Sequence, residues 1–297
     1  MTDKKHQVLL ALFAPAVIWG FQPVLVKYLV AAWTPVTVTF MRYVLASAIL
    51  FSFMAWRHEQ EWRPKAPMVW VGVIGMGLFG IFLDCVLQFT GIKTTVVTNV
   101  TLISATTPAM TALLAAVFLR ERLSLIAWGG IVISFFGVML VVSHGSLDMV
   151  MSLSFNFGDV LCLASQLAWA LYSLIGLYVL RHTSLMTATA WSAFFGAILT
   201  GIYGVVMGEL VIVPIGAYAI GSYLYITLLG GIMSQLCWNY GVHEAGPSIT
   251  SVFLNVMPVV GMMAGYFLMG DEMGIVQLTG AASIFAGVWL TTHSSRK

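Results

Sequence analysis

The sequence predicts an all-α membrane protein of ten transmembrane helices, arranged as two inverted five-helix repeats. Composition is the first reason. Of 297 residues, 60% are hydrophobic and 8% charged, with a mean hydropathy of +0.96. A soluble domain carries roughly 25% charged residues, so this chain needs the bilayer as its solvent. The second reason is internal repetition at one offset of 150 residues (169 minus 19). Trp19 falls on Trp169, Tyr28 on Tyr178, Pro64 on Pro214, Gly80 on Gly230 and Gly91 on Gly241. Pro108 falls on Pro258, Gly130 on Gly280 and Gly137 on Gly287. Tryptophan and proline are scarce here, so their pairing without a register shift marks a duplication. Five apolar stretches per half, an odd number, turn the second copy upside down. The third reason is charge. With the N-terminus inside, ten of the thirteen Lys and Arg residues fall on the cytoplasmic side. Loops assigned outside carry Asp148, Glu209, Asp271 and Glu272 instead, as the positive-inside rule demands.

The elements follow in order. Stretches of about 20 apolar residues, enough to cross the hydrocarbon, cover Val8–Leu29, Val36–Trp56, Met68–Phe89, Thr95–Leu119 and Ser124–Val142. The second half supplies Gly158–Leu180, Leu185–Met207, Tyr218–Tyr240, Pro247–Leu268 and Met273–Thr292. Turn residues punctuate the hairpins: Thr34-Pro35, Pro64 with Pro67, and Gly246-Pro247. Residues 1–142 thus form one repeat, 143–157 a polar linker containing Gly145, and 158–297 the second repeat. The basic Arg57–Lys65 loop aligns with a loop holding Glu209, and Arg120-Glu121-Arg122 with Gly270-Asp271-Glu272. Equivalent loops of opposite charge belong on opposite membrane faces. The short basic start, Met1 to Gln7, leads into a stretch as long as the others, so it is expected to be a first span rather than a cleaved signal. Both termini are expected in the cytoplasm.

Several of these residues resemble a known family. Gly91-Ile92-Lys93-Thr94-Thr95, Pro108 in a small-residue helix, Phe118-Leu119-Arg120-Glu121-Arg122-Leu123-Ser124 and Gly129-Gly130 to Gly137-Val138 are similar to the EamA signature. Gly241, Pro258, Phe267 to Met273, Gly280 and Gly287-Val288 form its second copy. Phe40-Met41-Arg42-Tyr43 resembles that family's arginine-bearing second helix, and Ile18-Trp19-Gly20 its first. The resemblance covers nearly the whole chain and implies the drug/metabolite transporter superfamily, with ten helices in two inverted repeats. It also implies export of amino acids or other metabolites across a bacterial inner membrane. The second copy departs at Gly270-Asp271-Glu272-Met273-Gly274, and Ser192 stands where Arg42 stands in the first.

Polar residues within the spans nominate a site. A charge at the bilayer centre costs about 2.5–3.5 kcal/mol, so it needs a partner, a wet cavity or an exit. Lys27, near a helix end, is expected to snorkel outward. Arg42 and Asp84 lie deeper, and two roles fit them: a structural ion pair, or contact with a ligand carboxylate through the guanidinium fork. Asp84 and Gln88, four apart, share a helix face, and Gly77 and Gly80 extend it. Trp19 and Gln22 share a face of the first helix; its counterpart offers Gln166, Trp169 and either Ser173 or Tyr172. Trp19 and Trp169, near mid-membrane, suit either core packing or stacking on a solute. Asn99, Gln235, Trp238, Asn239, Ser251 and Asn255 add polar groups, most of them suited to interhelical hydrogen bonds. The expected substrate-binding set is Trp19, Gln22, Arg42, Asp84, Gln88, Gln166, Trp169 and Trp238, in a central cavity between the repeats. Pro108 and Pro258, inside their helices, favour kinks and are expected to act as hinges or static bends. Gly204 with Gly208, and Gly261 with Gly265, have the spacing of close helix contacts within one monomer.

Other classes find less support. No phosphate-binding loop is present for ATP, and no basic run argues for nucleic acid. Cys85, Cys162 and Cys237 lie in apolar spans without metal-ligand spacing, so neither metal nor cofactor is expected. All six histidines fall in expected loops or termini, and no buried Ser-His or paired-Asp constellation suggests an enzyme. The expected function is secondary transport, by alternating access, of a small amphiphilic solute bearing a carboxylate, an amino acid first among them. Asp84 would hold an ammonium or a coupling proton. A facilitative carrier or channel for a drug, nucleobase or sugar derivative is the alternative.

Overall fold

The chain folds as a bundle of apolar helices, described in a computed structural model over residues 2–95, 97–143, 145–151, 156–264 and 274–294. The side chains described exclude 2–6, 23, 27, 97–98, 149–150 and 264. The Lys27 side chain, Gly265 and the Phe267–Met273 stretch with Asp271 and Glu272 therefore lie outside the described residues. Among the described residues, nine helices are long and apolar enough to cross a membrane, and a shorter apolar one makes ten. The first five are α1 (Gln7–Val30), α2 (Pro35–Trp56), α3 (Pro67–Thr94), α4 (Asn99–Leu119) and α5 (Leu125–Ser143). The second five are α6 (Phe157–Leu180), α7 (Leu185–Val206), α8 (Ala217–Ala245), α9 (Pro247–Met263) and α10 (Ile275–Ser294).

The duplication is visible in the caps. Thr34 and Ser184, one repeat apart, start α2 and α7, each accepting a hydrogen bond from the backbone N–H three residues on. Such a cap is worth about 1 kcal/mol. Three residues further, Thr37 donates to the Glu209 carbonyl at 3.1 Å and Thr187 to the Glu61 carbonyl, at 2.5 Å. The start of each helix thus grips the end of the other, as antiparallel packing about a pseudo-two-fold requires.

The α5–α10 seam follows the same logic. Each glycine sits where a Cβ would strike the backbone of its opposite number. A Cβ on Gly130 would lie 2.6 Å from the Gly287 carbonyl oxygen, and one on Gly137 2.7 Å from that of Gly280. Positions 130 and 280 are equivalent, as are 137 and 287, so the crossing is self-complementary and antiparallel. Only glycine permits this approach.

Four helices depart from ideal geometry, at matched places. The π-helical turns Leu78–Leu83 in α3 and Tyr225–Met233 in α8 precede Asp84 and Ser234. The extra residue re-aims the faces, so the expected stripe from Gly77 to Gln88 is divided. Gly77 abuts the α7 backbone at Gly196, Gly80 abuts Tyr172, and Asp84 and Gln88 face a cavity. Helix α4 breaks between Ser104 and Thr107, and α9 tightens into a 3₁₀ turn at Phe253–Val256. Both bends immediately precede Pro108 and Pro258, whose missing N–H groups cannot close the ladder.

Smaller expectations shift too. Of the described members of the two small-residue pairs, only Gly204 makes a close contact, with Val36; Gly208 is a turn residue at φ +67° and Gly261 faces open space. The linker carries a short helix, Leu147–Met151, and α6 begins at Phe157 behind an Asn156–Asp159 capping box. His243 and His293 ride on the last turns of α8 and α10 rather than in loops.

Candidate functional site

A cavity of about 410 Å³ opens between the two halves, within the range of small-molecule sites. Its walls come from one end of the bundle. The C-terminal halves of α1 (Gln22, Val26), α3 (Asp84, Gln88) and α5 (Val141, Val142) meet the N-terminal parts of α2 (Arg42, Tyr43) and α4 (Thr101, Ser104). From the second half come Gln166 and Trp169 of α6, Asn255 to Met262 of α9, and Gln277 of α10. In an alternating bundle these ends share a face, the one that carries the linker.

Seven of the eight expected residues line this space: Trp19, Gln22, Arg42, Asp84, Gln88, Gln166 and Trp169. Trp238 packs behind it instead, 1% exposed, with its ring centroid 5.1 Å from that of Trp169 and its Nε1 donating to Ser173 Oγ at 3.1 Å. Pro258 lines the cavity and Pro108 does not.

The floor is aromatic. Trp19 and Trp169 meet edge to face, centroids 5.2 Å apart, an arrangement the ring quadrupoles favour. The Trp19 indole N–H is spent on the Gly230 carbonyl at 2.9 Å, whereas buried Trp169 Nε1 has no partner among the described residues. Beneath them a polar network fills the bundle. The Tyr172 hydroxyl donates to Asn239 Oδ1 at 2.7 Å and accepts from Gln235 Nε2 at 2.8 Å; Asn239 Nδ2 donates to Thr189.

The wall is charged. Arg42 is 2% exposed, donates to Gln22 Oε1 at 3.3 Å and stands 5.0 Å from the Tyr43 ring centroid, while its Nε has no partner among the described residues. Asp84 forms no direct ion pair with it; among the described residues its side-chain contact is a long one from Cys85 Sγ, 3.9 Å. The ion-pair reading is therefore not realised, and a cation and an acid share a cavity without neutralising each other by contact. Gln166 is held in place through the Thr107 hydroxyl at 2.6 Å, tying α6 to the break in α4.

Sequence reasoning missed Tyr43, Cys85 and Gln277 on this wall, since nothing in their spacing separates them from packing residues. It also missed Asp159. This carboxylate accepts from Thr95, from Asn99 at 3.0 and 3.1 Å and from the Asn156 backbone at 2.7 Å, joining α6 to the α3–α4 hairpin. The Asn156-x-x-Asp159 spacing was the available signal. All the acceptor capacity in use serves structure.

Both halves match the EamA-like transporter family, over residues 6–143 and 156–293. The uncharacterized transporter YyaM of Bacillus subtilis (strain 168) is 30% identical over 270 residues, 89% of this chain and 86% of its own. An uncharacterized transporter of Archaeoglobus fulgidus is 26% identical over 98% of both chains. The uncharacterized inner membrane transporter YedA of Escherichia coli (strain K12) is 25% identical over 95% of this chain and 89% of its own. A solved crystal structure shares the fold, with a TM-score of 0.77 over 97% of both chains at 19% identity.

Proposed function

Because the chain belongs to the EamA-like transporter family, it is a multi-pass membrane transporter, and we propose that it exports a small amphiphilic metabolite by alternating access. The substrate class is a carboxylate-bearing solute, with an amino acid as the best fit. The observation that carries this reading is Arg42: buried, on the cavity wall and, among the described residues, with Nε unmatched and no direct ion pair to Asp84. A buried guanidinium is stable only when a ligand or water meets its donors, and its fork suits a carboxylate. Trp19 and Trp169 would take the apolar part, Gln22, Gln88 and Gln166 its polar edges, and Asp84 an ammonium or the coupling proton. Trp238 supports the two tryptophans from behind. The protein works as a monomer in a bacterial inner membrane, with both termini cytoplasmic and repeats at 1–142 and 158–297. In that orientation the linker face is the outer face, and Pro108 and Pro258 are the hinges.

Purified full-length protein in proteoliposomes tests the reading. Radiolabelled amino acids should show saturable uptake and counterflow. Flux that rises linearly with concentration and shows no counterflow would make it a channel. Asp84→Asn should keep exchange yet lose any dependence of net transport on a pH gradient; wild-type transport indifferent to both pH gradient and membrane potential refutes proton coupling.

A further inference from the structure

At the end of the bundle away from the cavity, α4 and α9 are joined by a contact that transport as such does not explain. Helices α4 and α9 are parted by the cavity at one end: Val100, Thr101 and Ser104 line it on α4, and Asn255, Pro258 and Met262 on α9. Their other ends are tied. Just past α4, Glu121 reaches across to the first turn of α9, where Ser248 Oγ donates to Glu121 Oε2 at 2.9 Å. The preceding Gly246, at φ +84°, lets the α8–α9 turn fold beneath this carboxylate; a Cβ there would lie 3.7 Å from Glu121 Oε1. Ser248 is fully buried, so an open contact would expose it. Between the split end and the tied end both helices are broken, at Ser104–Thr107 in α4 and Phe253–Val256 in α9. A pair of levers with a break in the middle and one fastened tip is a gate.

We propose that Glu121 and Ser248 form the latch that keeps the face opposite the cavity closed, and that it opens when the cavity changes sides. The proposal rests on the alternating-access reading above. It gives a task to the Arg120-Glu121-Arg122 motif that substrate binding leaves unused. Half-buried, Glu121 meets Ser248 through one carboxylate oxygen; burial favours its neutral form, against the hydrogen bond from Ser248 that favours the charged one.

Two thiol reporters test the latch without a substrate. The first is Ser251→Cys (S251C), one turn beyond Ser248 at a buried position; the second is Gly261→Cys (G261C), at a position that lines the cavity and where a Cβ meets nothing within 4 Å. Each is placed singly in the full chain in lipid nanodiscs and labelled with a charged maleimide, with the parent chain as the baseline for native cysteines. With the latch intact, G261C should label fast and S251C slowly. Glu121→Ala, or Ser248→Ala, should raise the S251C rate about tenfold, the equilibrium factor for one hydrogen bond to a carboxylate, while the G261C rate falls. Glu121→Gln still accepts from Ser248 and should restore the original pattern. An unchanged S251C rate in folded variants overturns the latch, as does a rise at both reporters, which signals general loosening. A rise in S251C with G261C unchanged leaves the latch standing and overturns alternating access. Should the alanine variants not fold, a Glu121→Cys/Ser248→Cys pair decides: oxidation should stop amino-acid counterflow and reduction restore it, and counterflow through the cross-linked protein refutes the latch.

Discussion

Two niches related by the 150-residue repeat show how one backbone supplies a charged cavity wall from one half and a filled niche from the other. In the first half Gln22 and Arg42 stand beside Gly230, and Asp84 and Gln88 share the cavity wall with them. In the second half the equivalent positions are Tyr172, Ser192, Ser234 and Trp238, with Tyr172 against Gly80. The scaffold around them is alike: both have a π-helical turn at the same place and a glycine facing the same position of the opposite helix. The side chains differ in volume and charge. Tyr172 stacks on Trp169 with centroids 4.9 Å apart and satisfies its hydroxyl inside the protein. Gln22 and Arg42 leave room and an unmatched donor. The fold's symmetry thus says where a site can form, and its breaking says which half supplies the charged wall.

The largest effect should come from filling the two glycines. A methyl at Gly80 would run into the Tyr172 ring, whereas at Gly230 it would meet only the flexible tips of Gln22 and Arg42, at 2.8 and 3.2 Å. Gly80→Ala should cost about 3 kcal/mol, the upper end of overpacking, and Gly230→Ala less than about 1 kcal/mol. Thermal unfolding in detergent compares them; equal losses would mean that the two niches are equally rigid.

Next comes charge. Arg42→Ser copies the second-half residue into the first and should weaken binding of a carboxylate solute about 100-fold, as expected for a desolvated charge contact. Ligand-induced thermal shift measures it. Undiminished binding would detach Arg42 from the substrate. Trp169→Ala should weaken binding while leaving yield intact, and an equal loss of folded protein would place that indole in the core.

Third is the filled niche itself. Tyr172→Phe leaves Gln235 Nε2 and Asn239 Oδ1 without their partner, at about 2 kcal/mol for the buried groups together. Gln22→Leu, in the wider niche, should be nearly neutral for stability. A neutral Tyr172→Phe would show that water already serves the network.

The fold was legible because its causes are one-dimensional: apolar length and the fixed offset each leave a direct trace in the chain. Seven cavity residues were legible for a related reason, since polar groups in apolar helices must face protein or water. What escaped depends on three-dimensional register. Trp238 looked like a wall residue by type, but it lies behind the wall, a distinction made by Trp169 and Ser173 around it. The π turns cannot be read from spacing, and they move Gly77 and Gly80 off the Asp84–Gln88 face. Tyr43, Cys85 and Gln277 join the wall only once the helices are assembled.

The smallest predicted effect concerns the Glu121 contact and pH. Glu121 is held above the ordinary glutamate range, first by burial, with the Ser248 hydrogen bond opposing. Arg120 and Arg122 flank it on its own loop, and His243 and Glu244 end the helix that leads to Ser248; none of these is among the causes of its shift. An acid whose pKa is raised in the closed form binds protons there more tightly than in the open form. Closure is therefore most favoured below the ordinary glutamate range, and that preference is lost as pH rises through the raised value. The S251C reporter should label more slowly as pH falls through that window, after correction for thiolate content with a free thiol. The change is bounded by one hydrogen bond, about 1 kcal/mol. In Glu121→Gln the slope should vanish while the hydrogen bond persists. A slope that survives in Glu121→Gln would take the pH response away from Glu121.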